Sequence, residues 1–264
     1  MTYFPPALPI VTFTTDFGTR DGYAGAMKGV VLSLAPQAQL VDVTHGIPPQ
    51  DVVAGAVALA QAAPLFPAGT IHVAVVDPGV GGARADIVVA AAGQLFVGPD
   101  NGVLSLAAKG ARRIHAIAAA AFRREPVSPT FHGRDVFAPT AGQLAAGTTI
   151  DAAGPLLDAM VDLQAPLVRR HGGVVEGEVI HIDGFGNLLT SIPADAIPLG
   201  FIVEVDGAEG RFEAPLGRTF SDVDPGALVA YVGSGGQLEI ARRDGSAAER
   251  IGAARGSAVR VRPA

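Results

Sequence analysis

Two short stretches hold the residues best suited to chemistry. VVDPGVGGAR, Val75 to Arg84, ends an apolar run on an acid, stiffens the next backbone with a proline and glycines, and reaches a guanidinium seven residues after the carboxylate. FHGRD, Phe131 to Asp135, sets an imidazole, a guanidinium and a carboxylate side by side. Imidazole is the side chain that ordinarily changes charge near neutral pH. A carboxylate at the C-terminal end of a strand occupies the place where open α/β sheets bind ligands. The first stretch is not a phosphate loop. A Walker loop needs Gly-Lys-Ser/Thr, and here Gly81-Gly82 leads to Ala83-Arg84. Nor is it a dinucleotide fingerprint, which must open a helix, because another strand follows. Taken alone, each stretch also fits a structural role: a glycine turn closed by an Asp77–Arg84 ion pair, and a helix capped by Asp135.

Other polar residues cluster at turns. TTDFGTRDG places Asp16 and Asp21 around a strand-to-helix turn, where a carboxylate can grip a ribose diol. IDGFGN brings Asp183, Phe185 and Asn187 into one turn, and an aromatic face beside a side-chain amide is what adenine recognition needs. Asp42, His45, Asp77, Asp100, His132 and Asp135 are of metal-ligand type, but no HExxH or other tight ligand spacing joins them, and no metal is expected.

The elements that position these residues fall into two textures. PIVTFTT, QLVDVTH, TIHVAVVD, DIVVAAA, QLFVG and RRIHAIA read as strands. Between them, GYAGAMKGVVLSLAP, PPQDVVAGAVALAQAAPLF, NGVLSLAAKG and VFAPTAGQLAAG read as helices, the first with Asp21 as its candidate cap and the second with proline in its first turn. Strands alternating with helices predict an α/β domain on a mostly parallel, Rossmann-like sheet. After about residue 150 the pattern changes, and from Val174 short strands separated by Gly/Asp turns predict a small antiparallel β-barrel. The expected domains are 1–168 and 169–264.

Composition narrows the function classes. The 264 residues contain no cysteine, which removes disulfides, thiolate nucleophiles and Cys-ligated zinc and fits a cytoplasmic protein. A net charge of −6 without any Lys/Arg run argues against nucleic acid or an anionic membrane as partner. The N-terminus reads as no signal peptide, and no unbroken apolar run has transmembrane length. With 49% hydrophobic and 17% charged residues, large buried interfaces and an oligomer are expected.

TDFGTRDGYAGAMKGV, DVTHGIPPQDVVAGA, VVDPGVGGAR, VGPDNG, FHGRDVFAPTAG and IDGFGN occur in this order. Together they resemble the S-adenosyl-L-methionine (SAM) hydroxide adenosyltransferase family, the hydrolytic relatives of the SAM-dependent fluorinase and chlorinase, from about residue 9 to residue 255. The resemblance implies a homotrimer with active sites between the N-terminal domain of one subunit and the barrel of its neighbour. It implies hydrolysis of SAM to adenosine and L-methionine, with SAM as substrate and no cofactor. The family's catalytic Asp, Arg and His correspond to Asp77, Arg84 and His132. Asp16 corresponds to the ribose acid, Asp21 and Asp183 to acids near the methionine ammonium, Ser234 to a serine at the methionine carboxylate, and Phe185 and Asn187 to adenine contacts.

The halogenating relatives carry tyrosine at the position of Asp77, serine at that of Gly133, an arginine at that of Gly235, and a pocket tryptophan at that of Gln50, along with an extra N-terminal loop. The chain departs from them at each point, so the resemblance implies a hydrolase; Gln50, being polar, is compatible with admitting water, and Gly235 leaves the carboxylate without the arginine. Two other readings are a non-catalytic SAM- or adenosine-binding regulator and a metal-dependent phosphohydrolase built on the Asp/His set.

Overall fold

The computed structural model describes residues 8–164, 168–197 and 201–263 and divides into two compact units, Met1–Leu163 and Gln164–Ala264. In the first unit the strands are β1 (Ile10–Thr15), β2 (Gln39–Thr44), β3 (Ile71–Val75), β4 (Asp86–Ala91), β5 (Gln94–Pro99), β6 (Arg112–Ala116) and β7 (Leu156–Leu157). The helices are α1 (Tyr23–Leu34), α2 (Val52–Ala62) and α3 (Ala138–Ala145). The strands form one sheet in the order β2-β1-β3-β5-β4-β6-β7.

That sheet is mixed, which corrects the mostly parallel expectation. The β1–β2, β1–β3 and β3–β5 pairs are parallel, whereas β4–β5, β4–β6 and β6–β7 are antiparallel. The reason is local. No crossover helix separates β4 from β5; they are joined by Ala92 and Gly93, both at positive φ (50° and 75°), the backbone of a two-residue hairpin. Parallel strands would need a much longer connection.

Both sheet faces are covered, so β3 is buried throughout, and His72 is its one polar side chain. Val73 and Val75 join a core with Phe13, Met27, Val31 and Phe137, while Ala74 and Val76 face a second core with Leu59, Ile87, Phe96 and Leu104. Several helix expectations are corrected. NGVLSLAAKG is a run of turns, because Gly102 sits at φ 98° and the Asn101 side chain bonds Val76 O and Val103 N, competing with helical backbone bonds. Asp21 does not cap α1; the cap position is Gly22, without a side-chain bond. Helix α2 starts after its prolines, where Asp51 accepts from Ala54 N at 3.0 Å.

The second unit contains β8 (Arg169–His171), β9 (Val174–Ile182), β10 (Leu188–Pro193), β11 (Phe201–Gly207), β12 (Gly210–Pro215), β13 (Leu228–Val232), β14 (Gln237–Arg242), α4 (Ala247–Ile251) and β15 (Ala258–Pro263). Its strands pair antiparallel in the order β12-β11-β15-β9-β10-β14-β13, with β8 on β9. A bridge between Leu216 and Ala230 links the two ends of that order, so the sheet is nearly barrel-shaped. Helix α4 went unread in the sequence, although SAAE carries its signature: Ser246 accepts from Glu249 N at 3.1 Å, and Gly252 closes the helix at φ 66°.

One buried histidine links the first core to pH. His72 on β3 has no exposed surface, meets Thr12 Oγ1 at 2.8 Å and stacks on Phe96 with ring centroids 5.1 Å apart. Burial pushes its pKa from the ordinary 6.5 down to about 4, against a weaker opposing hydrogen bond with Gln94. The unfolded chain therefore binds this proton more readily. Stability is fully present above about pH 6.5, declines as pH falls toward about 4, and loses on the order of 3 kcal/mol from this group below that range. Urea midpoints at pH 7 and pH 4.5 should differ less in His72→Leu than in the wild type; equal differences would refute the assignment.

Candidate active site

The loop after β3 is shaped by its glycines. Val80 N bonds Asp77 O at 3.3 Å, Gly82 N bonds Gly79 O at 3.0 Å, and Gly81 takes φ 73°. These turns fold the chain back so that Arg84 faces Asp77. Arg84 Nε donates to Asp77 Oδ1 at 3.1 Å and Nη2 donates to Asp77 Oδ2, a two-pronged pair. The same guanidinium donates through Nη1 to Asp86 Oδ1, and its Nη2 lies 3.1 Å from His132 Nδ1. Burial opposes the Arg84 charge, but the bonds and charges of Asp77 and Asp86 outweigh it and raise its pKa. Phe137, fully buried, lies 5.6 Å beneath the guanidinium and packs edge-on to the His132 ring at 6.5 Å.

His132 enters from the other stretch. It precedes a single π-helical turn, Gly133–Phe137, that leads directly into α3. Turns of this kind recur at functional sites. Asp135 does not cap a helix here. It is buried, accepts from Ser128 N at 2.9 Å, and is gripped by Arg134 at 2.8 and 2.7 Å. Burial favours its neutral form, but Arg134 and Ser128 outweigh this and hold its pKa below the usual carboxylate value. FHGRD thus divides its labour: Asp135 braces the segment that carries His132.

Asp77 and His132 line a cavity of about 570 Å³, and Asp16, Gln50 and Gly133 line it too. Phe17, Tyr23 and Phe131 also contribute, packed edge to face with centroids 5.3 to 6.0 Å apart. Asp16 Oδ2 accepts from Gln50 N at 2.8 Å, and Gln50 holds φ 67°, a left-handed backbone uncommon for a residue other than glycine. The loop carrying Gln50 is pinned beneath Asp16 by Gly18 N to His45 O at 2.7 Å and by Thr15 Oγ1 against His45 Nδ1 at 2.8 Å. Arg84 stands behind Asp77 and His132. Asp21 is exposed on the turn before α1 and is not among the residues lining the cavity.

In the second unit Asp183, Phe185 and Asn187 form one turn, as predicted. Asp183 accepts from Phe185 N, Asn187 N and Asn187 Nδ2, each at 2.9 Å. This leaves Phe185 82% exposed, while Asn187 Oδ1 is buried without a partner among the described residues. The β10–β14 register sets Leu188 opposite Ile240 and Pro193 opposite Gln237. Ser234, exposed in the β13–β14 hairpin, therefore adjoins the Pro193 end of β10, whereas the 183–187 turn opens the Leu188 end.

The remaining metal-type residues are spent on structure. Asp42 pairs with Lys28 at 2.6 Å and His45 at 3.0 Å, and Asp100 accepts from Val161 N at 2.7 Å. Among the described residues no three His, Asp or Glu side chains are grouped to hold a metal ion. Sequence reasoning missed Asp86. Its signal was spacing: Arg84 and Asp86 are two apart at the start of a strand, where alternate residues share a face.

Gly81 tests the loop geometry. A Cβ there would collide with Pro129 O, and the positive φ disfavours any L side chain. Gly81→Ala should destabilise the protein by about 1–3 kcal/mol and separate the Asp77–Arg84 loop from the segment ending in His132. A melting temperature equal to the wild type would contradict this close approach.

The SAM hydroxide adenosyltransferase N-terminal domain model matches residues 11–154, and the corresponding C-terminal domain model matches residues 177–260. An (R)-S-adenosyl-L-methionine hydrolase from Salinispora tropica is 42% identical over 259 residues, covering 96% of this chain and 97% of the relative. A fluorinase from Nocardia brasiliensis is 30% identical, covering 96% of this chain and 97% of the relative. A crystal structure of an uncharacterized conserved protein from Thermotoga maritima superposes with a TM-score of 0.89 at 34% identity, covering 96% and 99% of the two chains. With both domain models matched in order across most of its length, the chain belongs to the SAM hydroxide adenosyltransferase family.

Proposed function

We propose that the protein hydrolyses S-adenosyl-L-methionine to adenosine and L-methionine by in-line attack of water at the ribose C5′. The observation that carries this reading is the joining of Asp77, Arg84 and His132, from separate stretches, at the wall of a cavity that also presents Asp16. The similarity to a curated SAM hydrolase supports the substrate.

The chemistry suits these groups. The sulfonium is already cationic, so breaking C5′–S releases methionine as a neutral thioether and needs no acid. The nucleophile is the obstacle, because free water has a pKa of about 15.7. A site that holds one water in line with C5′–S gains up to roughly 7–11 kcal/mol from orientation, and a positioned base adds about 10²–10⁴-fold. In this reading Asp16, fixed by the Gln50 N–H, takes the ribose hydroxyls. Charge is cancelled rather than created at sulfur, so the reading requires neither metal nor cofactor. Gly133 fits a hydrolase better than a halide site. A Cβ there would stand 3.1 Å from Met27 Sδ and 3.3 Å from Phe17 Cζ, so a serine would have to displace neighbours.

The same reading assigns Phe185 and Asn187 to the adenine, Asp183 and Asp21 to the methionine ammonium, and Ser234 to its carboxylate. It includes a homotrimer in which one subunit's barrel completes its neighbour's site. The exposed Phe185 ring and the Asn187 oxygen, unpartnered among the described residues, support a ligand-facing turn. The soluble cytoplasm, where SAM is available, is the compartment this reading requires.

In H₂¹⁸O, turnover should place the label on the adenosine 5′ oxygen, survive EDTA, and yield no 5′-halogenated nucleoside with added chloride or fluoride. Asp77→Asn and His132→Gln should each lower kcat about 10²–10⁴-fold. SAM binding without product from the wild type would indicate a binding protein, and loss of activity in EDTA a metal enzyme. For the shared site, mixing inactive Asp77→Asn subunits with inactive Asn187→Ala subunits should restore activity. No recovery on mixing would refute completion of the site by a neighbour.

A further inference from the structure

Asp86 contributes a second carboxylate to the cluster, alongside the catalytic assignments above. Its side chain is buried, and Arg84 Nη1 donates to its Oδ1. His132 Nδ1 lies 3.1 Å from that same oxygen, and Arg123 Nη2 stands 3.5 Å from Oδ2. Nδ1 therefore faces two groups with opposite demands. The Arg84 guanidinium, 3.1 Å away, can only donate; the ionised Asp86 carboxylate can only accept.

The choice between them sets what the other ring nitrogen can do. If Nδ1 accepts from Arg84, the single proton of the neutral ring is on Nε2, and no lone pair is left for water. If Nδ1–H donates to Asp86, Nε2 carries the lone pair. His132 lines the cavity, and Nε2 has no protein partner among the described residues.

We propose that Asp86 is the positioning residue that holds the proton on His132 Nδ1 and so makes His132 Nε2, rather than Asp77, the acceptor of the water proton. This rests on the SAM-hydrolase reading. The step balances as follows. Water oxygen forms the bond to C5′, the C5′–S electron pair leaves with sulfur, and the water proton passes to Nε2. The resulting imidazolium later returns that proton to solvent, so SAM and water give adenosine, methionine and H⁺. During the step a cationic ring stands beside cationic Arg84, and Asp86 is the anion bonded to both. Asp77 has each carboxylate oxygen engaged by the Arg84 fork, which suits it to orient the water.

The test has two arms. In the first, ¹⁵N-histidine NMR of the substrate-free protein, with His132 assigned by comparison with His132→Gln, reads the neutral tautomer. The expected result is a protonated Nδ1 and a bare Nε2 in the wild type, with the two exchanged in Asp86→Asn. A proton on Nε2 in the wild type overturns the proposal. In the second, Asp86→Asn should lower kcat about 10²–10⁴-fold while KM for SAM stays within about threefold. Turnover within about threefold of the wild type overturns it. A wild type with the expected tautomer but no SAM turnover would overturn the hydrolase reading and leave Asp86 as the residue that sets the histidine tautomer.

Discussion

The Arg84 guanidinium is the contact on which the rest of the site depends. It presents a planar fork of donors, cannot readily lose its charge in the protein, and faces Asp77, Asp86 and His132 at once. Without it, buried carboxylates would sit together with little compensation, a costly arrangement. With it, an acid and an imidazole from distant stretches hold fixed orientations at the wall of one cavity. A lysine would supply charge but not the fork, so it could not bind both acids and meet the imidazole with the same geometry.

The backbone around this cluster carries constraints that serve it. Gly81 allows the Asp77 loop to press against Pro129, just before the histidine segment. Asp135, itself buried and paired with Arg134, braces that segment from Ser128 onward. Gln50 adopts a left-handed backbone and donates its N–H to Asp16. Gln50 is costly by backbone strain and Asp135 by burial of its charge, and both, like Gly81, belong to segments whose other residues line the cavity. Such costs persist only where surrounding packing holds them, and here the sheet has a core on each face.

The second unit follows a different logic. Its sheet is antiparallel and nearly closes, so alternate residues fill one interior core while loops carry the chemistry-bearing types. Asp183 spends its hydrogen bonds on shaping its own turn, which leaves an aromatic ring in solvent and an amide oxygen without a partner among the described residues. Stability alone does not account for a large exposed ring beside an unsatisfied buried acceptor.

Much of this was legible in the residues. The two-texture division, the strands of the second unit and the places of Asp77, Arg84, His132, Asp16 and Asn187 follow from periodicity, turn residues and motif order, all of which act over a few neighbours. The mixed sheet was not legible from helix and strand alternation, because strand direction is set by whether a connection is a tight Ala92-Gly93 hairpin or a helical crossover. The false helix at 101–110 arose because the Asn101 side chain takes backbone groups that a helix would use. Asp86 stayed hidden for the deepest reason. A carboxylate at the start of a strand has the same appearance whether it meets solvent or an imidazole 46 positions away. Sequence alone determined which chemical groups the chain possesses and how each turn holds them; only tertiary structure decided which share a hydrogen bond, because long-range approach depends on packing of the whole unit.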